Sequence, residues 1–496
     1  MIFKLSKTAF SYFLVVAVLL SLIGCGENKN AADNVSSNIT ASEIIDETSS
    51  GVQTSSKDTS TSSKNGENSS GQTSSKGFLR PSASSKPKEV DNSMYNLNYV
   101  FNKSVYENEF FNRGGLYNTI SKLQNGQDVT IAYLGGSITR MKGYRNYTTQ
   151  YFEQNYQGSV KEVYAALAGT GAALGVCRLD KDILAHNPDL LFVEYASNGG
   201  NAEQLEGIVL KVWESDPTID ICFIYTGGAQ SYEIYSSGKL PEFVEMSEKL
   251  ADYYDIPSVF FTKQAFDMCD AGKLTVKAYV PDNTHPSDEG HKLAAGAIAR
   301  SVVSMEKSFN KDGYRIKKHT LKSKTHTKSP WISATYSTDM SKLKFEGEWK
   351  TYPLNSSGEY TGLDYSVYYD ATREIAKEIV GTKKAGSSVT IKFKGTNLGI
   401  LKYTGPFTGQ LRLTVDGIDK GILEIYHKNT DAEPRLLSTF LDEIPYGEHT
   451  VTLTLDENAP DKSYLMNKYP DDKRYLNNEF YFTRILVNGE LLDANK

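Results

Sequence analysis

The stretch VTIAYLGGSITR, Val129 to Arg140, sets an apolar, β-prone run against two glycines and a serine. Val129 to Leu134 has the usual length of a strand buried in an α/β sheet. Gly135 and Gly136 allow a sharp turn at its carboxyl end, which leaves Ser137 exposed where open α/β sheets place their chemistry. The same residues also fit an ordinary strand-to-helix turn closed by a capping serine. The meaning of Ser137 therefore depends on what else reaches that rim.

Working outward, further short apolar runs bounded by polar or Gly/Pro residues predict strands at Val160 to Ala165, Leu190 to Tyr195, Ile219 to Tyr225 and Ser258 to Phe261. Helical stretches at Gly175 to Ala185 and Glu242 to Tyr254 lie between them, and Ser287 opens a last amphipathic helix with Leu293, Ala294, Ile298, Val302 and Val303 on its apolar side. Alternation of strand and helix predicts an α/β domain over 95–306, with a parallel sheet covered on both faces. Residues 307–330 are basic and polar and read as a linker.

From Trp331 the period changes to two. Val389, Ile391 and Phe393 alternate with polar residues, as do Leu411, Leu413 and Val415, and Val451, Leu453 and Leu455. Asp416-Gly417, Tyr446-Gly447 and Asn488-Gly489 read as turns between such strands. The expectation is an all-β sandwich or jelly roll over 331–496.

At the amino terminus, Lys4 and Lys7 precede an apolar run from about Phe10 to Ile23 that has signal-peptide architecture and ends Leu22-Ile23-Gly24-Cys25. That ending resembles the bacterial lipobox, which implies a signal peptide over 1–25, lipidation of Cys25 and attachment to the extracytoplasmic face of the cell membrane. Residues 26–94 are dominated by Ser, Thr, Asn, Lys and Gly, too poor in apolar side chains to offset the entropy of ordering, and read as a disordered tether. As a flexible coil it spans about 45 Å on average.

Composition removes several function classes. A net charge of -6 gives no basic footprint for nucleic acid. Cys177, Cys222 and Cys269 are scattered without metal-ligand spacing, and neither HExxH nor CxxC occurs, so no metal, no other cofactor and no disulfide framework is expected. The chain holds 32 tyrosines, which serve sugar-binding surfaces and ordinary β-sheet faces alike.

Pro281-Asp282-Asn283-Thr284-His285-Pro286 stands directly before the last helix. A serine hydroxyl is a poor nucleophile until a base takes its proton, histidine is suited to that near neutral pH, and a carboxylate holds the imidazole in the useful tautomer. Asp282 and His285 are close enough on a turn to converge. Attack on an ester also needs donors for the developing oxyanion. Gly169 in AALAGTGAALG and Asn198 in FVEYASNGG both follow predicted strands, on the rim where Ser137 lies. Taken singly, each also fits an ordinary turn.

Gly136-Ser137, Gly169, Asn198 and Asp282-Asn283-Thr284-His285 stand in the order of the four blocks of the SGNH (GDSL-like) hydrolases, and the chain resembles that family over roughly 127–303. Arg178, Leu179 and Asp182, then Pro188-Asp189 and Val193-Glu194-Tyr195, resemble the branch that contains many exported bacterial carbohydrate esterases. The resemblance implies an SGNH-type, flavodoxin-like three-layer fold. In it Ser137 is the nucleophile, His285 the base and then the acid, Asp282 its orienter, and Ser137 N–H, Gly169 N–H and the Asn198 side chain the oxyanion hole. The chain departs from the family pattern at Gly136, at Tyr164, Ala166 and Ala168, and at Gly199, none of which removes a proposed catalytic group.

The carboxy-terminal part resembles the jelly-roll partner of such esterases, with Trp349, Tyr403 and Phe407 as candidate stacking faces for sugar. The expected activity is removal of O-acetyl or other short acyl groups from a polysaccharide. A polysaccharide O-acetyltransferase using the same residues, and a non-catalytic glycan-binding envelope lipoprotein, stay open.

Overall fold

The first sheet is built from β1 (Phe110–Phe111), β2 (Val129–Gly135), β3 (Val160–Ala166), β4 (Leu190–Glu194), β5 (Asp220–Tyr225) and β6 (Ser258–Phe260), in the order β1-β6-β5-β4-β2-β3. All pairings are parallel except that of β1, which lies antiparallel on β6. The structure, a computed structural model, describes residues 90–102, 108–310, 313–354, 362, 377–427 and 434–496. The signal segment, Cys25 and the tether up to residue 89 lie outside the described residues.

Consecutive residues of β2 feed two different cores, because side chains alternate across a strand. Ala132 and Leu134 join one apolar cluster, and Ile131 and Tyr133 join the other. β4 divides in the same way, Leu191 and Val193 to the first and Leu190 and Phe192 to the second. Burial on both faces is why these strands read as continuous apolar runs. The second cluster is covered by the helices Tyr144–Asn155 and Asp288–Ser308, which contribute Tyr151, Phe152, Ala295 and Ile298. Helices Ala172–Asp182, Ala202–Ser215 and Glu242–Tyr254 cover the first. The result is the flavodoxin-like three-layer arrangement expected of an SGNH-type fold. Ser287 caps the last helix, its Oγ accepting from Gly290 N–H at 3.2 Å.

Some details of the α/β layer differ from the sequence reading. The helix expected to begin at Gly175 begins at Ala172, because its cap is Gly171, whose Cα presses on Gly199 O too closely for any side chain. The antiparallel β1 went unread, since a two-residue strand has no periodicity to show.

The second sheet is antiparallel: β7 (Ala334–Ser337), β8 (Lys344–Glu346), β9 (Lys350–Pro353), β10 (Glu378–Thr382), β11 (Ser388–Thr404), β12 (Leu411–Val415), β13 (Ile418–Leu423), β14 (Arg435–Phe440), β15 (Gly447–Leu455) and β16 (Phe480–Leu492). Asp416 and Gly417, both at positive φ, turn β12 into β13 as their sequence predicts. Asn488-Gly489 makes no turn and lies inside β16. There Gly489 and Gly395 meet where β11 and β16 cross at a bulge, and a side chain at Gly489 would collide with Lys394 O. This is the close backbone approach that a strand glycine also serves.

That bulge shifts the parity of β11. Before it Val389, Ile391 and Phe393 face the core of the β domain, and after it Leu398 and Ile400 do. Leu401 and Tyr403 are thereby turned to the cluster shared with the α/β layer. Tyr403 and Phe407 are buried there, 1% and 0% exposed, and cannot stack on a sugar from solvent. Trp349 is half-buried against Phe345, Phe480 and Phe482.

The two parts share apolar contacts centred on Trp331, which is 3% exposed. Its backbone lies on Gly207 of the helix Ala202–Ser215, where a β-carbon would come within 2.8 Å, and its ring packs 5.3 Å from Phe440 of β14. Trp331 N–H donates to Glu203 O at 2.9 Å. The basic segment before it is tied to the α/β layer, with His319 stacked on Trp213 and bonded to Asp220, and Thr327 bonded to Glu206. Truncating a buried indole removes its transfer energy and leaves a cavity, so Trp331→Ala is expected to lower unfolding free energy by about 3–5 kcal/mol. Denaturant titration checks this, and a loss under about 1 kcal/mol would mean the two parts do not stabilise each other through Trp331.

Candidate active site

β2 ends at Gly135, and the chain turns through Gly136 (φ -93, ψ -146) into the one-turn helix Ser137–Arg140. Neither glycine has room for a side chain. A β-carbon on Gly135 would lie 2.2 Å from Thr139 Oγ1 and 2.8 Å from Glu194 O, and one on Gly136 would lie 1.8 Å from Asn198 Oδ1. The turn is therefore wedged between its own helix and the loop after β4. Ser137 is left half-buried at the strand's carboxyl end.

Ser137 Oγ lies 2.7 Å from His285 Nε2, and His285 Nδ1 lies 2.6 Å from Asp282 Oδ2. The loop that carries both partners is braced. Asn283 adopts the left-handed region at φ 69, Asp282 Oδ1 accepts from Thr284 N–H at 2.9 Å and His285 N–H at 2.7 Å, and Asn283 O accepts from Ala229 N–H at 3.0 Å. Gly228 makes the last contact possible, since a β-carbon there would meet Asn283 O at 2.2 Å. Partial burial pushes the Asp282 carboxyl up, but the hydrogen bonds from the His285 backbone and ring and from Thr284 outweigh it and hold the group at about 2. Asp282 is thus ionised at neutral pH, and with Nδ1–H donating to it, Nε2 is the nitrogen able to accept the Ser137 proton.

The two remaining expected residues sit on the same rim. Asn198 lies one turn beyond β4, its backbone N–H donating to Tyr195 O at 3.0 Å, and its side-chain amide packs against Gly136 Cα. Gly169 has φ 71 in the loop after β3, and that loop is tied to the end of β2 by Leu167 N–H donating to Gly135 O at 3.3 Å. Gly171 closes the gap to the Asn198 loop, with Ala172 N–H donating to Gly199 O at 3.0 Å. Ser137, Gly169, Asn198, Asp282 and His285, read from four separate segments, are gathered at one edge of the parallel sheet.

Two neighbours were given no part in the site by the sequence, although Glu194 stands within its Val193-Glu194-Tyr195 motif. Leu437 of β14 reaches Gly169, where a β-carbon would meet Leu437 Cδ2 at 3.1 Å, and no pattern in a β-strand announces such a contact. Glu194, fully buried, ends β4 with its carboxylate accepting from Thr139 Oγ1 at 2.9 Å and Thr226 Oγ1 at 2.7 Å. The signal for it is one charge closing an otherwise apolar strand, LLFVE. Among the described residues no group of acidic, histidine or cysteine side chains is arranged to hold a metal ion.

No family model matches the chain, and neither does any curated protein. Solved structures do. A two-domain esterase active on acetylated mannans, co-crystallised with mannopentaose, superposes with a TM-score of 0.60 at 20% identity, over 79% of this chain and 99% of that one. A second structure of a two-domain esterase active on acetylated mannans gives 0.59 at 20% identity, over 78% and 99%. Axe2, an acetylxylan esterase from Geobacillus stearothermophilus, matches 36% of this chain and 96% of its own at 17% identity, with a TM-score of 0.30. The first two establish a shared two-domain fold.

The pairing of Asp282 with His285 has a pH signature. Because the folded carboxyl is held at about 2 against 3.8, its stabilisation is present above pH 3.8 and is lost as pH falls towards 2. Thermal melts of wild type and Asp282→Asn are expected to differ at pH 5 to 7 and to converge towards pH 2. A gap that persists at pH 2 would show that the pair is not what Asp282 contributes.

Proposed function

We propose that the chain is a serine esterase that removes O-acetyl or other short acyl groups from a polysaccharide through an acyl-enzyme on Ser137. The observation that carries this reading is the continuous hydrogen-bonded path from Ser137 Oγ through the His285 ring to Asp282. In the first half-reaction Ser137 Oγ attacks the acyl carbonyl while His285 Nε2 takes its proton. The oxyanion that forms is received by the N–H groups of Ser137 and Gly169 and by the Asn198 side chain. As the intermediate collapses, the bond from the acyl carbon to the sugar oxygen breaks and His285 returns the proton to that oxygen. Water then gives a proton to His285 Nε2 and attacks the acyl carbon, and His285 passes that proton to Ser137 Oγ as the bond from Oγ to the acyl carbon breaks, releasing the acid. Asp282 stays ionised throughout and balances the imidazolium.

The polysaccharide as substrate class is supported by the fold shared with an esterase whose substrates are acetylated mannans. It is also supported by Leu437, which brings the β domain against Gly169 and lets that domain shape the approach to the oxyanion site. The amino-terminal signal and Cys25 fit an exported, lipid-anchored enzyme that meets polymer at the cell surface, although its site is built without them.

Acetate release from acetylated glycans or 4-nitrophenyl acetate tests the reading. Ser137→Ala is expected to lower kcat by at least about 10³-fold with the fold intact. Release that survives the substitution would mean that another group does the chemistry.

A further inference from the structure

The site contains a buried acid that the proposed reaction does not use. Glu194 lies at the end of β4 opposite Gly135 of β2, with nothing of it exposed. Burying a carboxylate costs several kcal/mol unless every oxygen is satisfied, and a leucine or glutamine at this position would cost the core far less. The donors that satisfy Glu194 come from the two segments flanking the reacting serine. Gly136 N–H and Thr139 Oγ1 belong to the nucleophile turn. Thr226 Oγ1, on the loop after β5, is bonded in turn to Ser197 Oγ at 2.9 Å, next to Asn198.

Thr139 Oγ1 and Thr226 Oγ1 each donate to an oxygen of Glu194, which sets the direction of the hydroxyls around it. Thr139 Oγ1 then accepts from Tyr144 O–H at 2.9 Å, and Thr226 Oγ1 accepts from Ser197. One carboxylate thereby fixes the Ser137 turn and the Asn198 loop in a single directed network, which is what a preorganised oxyanion site requires. Burial pushes the carboxyl up, against the hydrogen bonds from Thr226, Thr139 and Gly136 and the nearby positive charge of His285 when protonated.

We infer that Glu194 is a positioning residue that holds Ser137 and Asn198 in register for attack. This rests on the esterase reading, and acetate release by the wild-type chain tests that premise separately. Two near-isosteric substitutions in the full chain test the inference. Glu194→Gln puts an amide N–H₂ where one accepting oxygen stands and so breaks the directed network. It is expected to lower kcat about tenfold to a hundredfold, with KM within about threefold and the thermal midpoint little changed, since small misplacement at a reacting atom is costly to rate. Thr226→Val removes the hydroxyl that donates to Glu194 and with it the link to Ser197, and is expected to lower kcat about threefold or more with KM within about threefold. Folded variants whose kcat stays within about twofold of wild type, or whose loss of kcat/KM lies in KM alone, overturn the inference. Should Glu194→Gln not fold, Thr226→Val decides by the same criterion on kcat. A wild-type chain that releases no acetate overturns the esterase reading itself, and the inference with it.

Discussion

Everything at this site depends on how closely Thr139, Glu194 and Asn198 approach the backbone at the end of β2. Gly135 and Gly136 leave no space that a side chain could occupy: Thr139 and Glu194 close on the first, and Asn198 on the second. A side chain at either position would have to push apart the turn that presents Ser137 and the loop that presents Asn198. The glycines therefore set the distance between nucleophile and oxyanion loop, as well as allowing the turn itself. The same logic recurs at Gly171, which lets the Gly169 loop reach Asn198, and at Gly228, which lets the loop after β5 brace Asn283. Five segments are brought together by these close approaches, and the side chains that react are carried on them.

The electrostatics follow from this packing. Asp282 stands at the open edge, where three hydrogen bonds outweigh partial burial and keep it ionised. Glu194 stands below the turn, enclosed, and is met by hydroxyls and a backbone N–H in place of a cation. Two carboxylates within one site are thus given different work by their surroundings, one orienting the base and the other ordering the frame.

Much of this was legible in the chain, for reasons tied to particular residues. β2, β4 and β5 are buried on both faces, so their apolar runs stood out within a residue or two of their true ends. The four reactive blocks could be ordered because strand ends in a parallel sheet share a rim. What escaped depended on contacts with no local signature. Tyr403 reads as an available aromatic, but the bulge at Gly395 turns it to the face of β11 that packs on the α/β layer, where it is buried. Asn488-Gly489 has the composition of a turn but answers to a neighbouring strand. Leu437 meets Gly169 across a separation of more than 260 residues, and Glu194 shows its role only through the hydroxyls that converge on it.

The central claim is that His285 and Asp282 make Ser137 an activated nucleophile. A fluorophosphonate probe tests this without a choice of sugar, since it forms a covalent phosphonyl ester only with a serine whose proton is being removed. The account predicts a single adduct that maps by mass to Ser137 and is lost in folded His285→Ala. An unlabelled Ser137 in the folded wild-type chain, or equal labelling with and without His285, would contradict it.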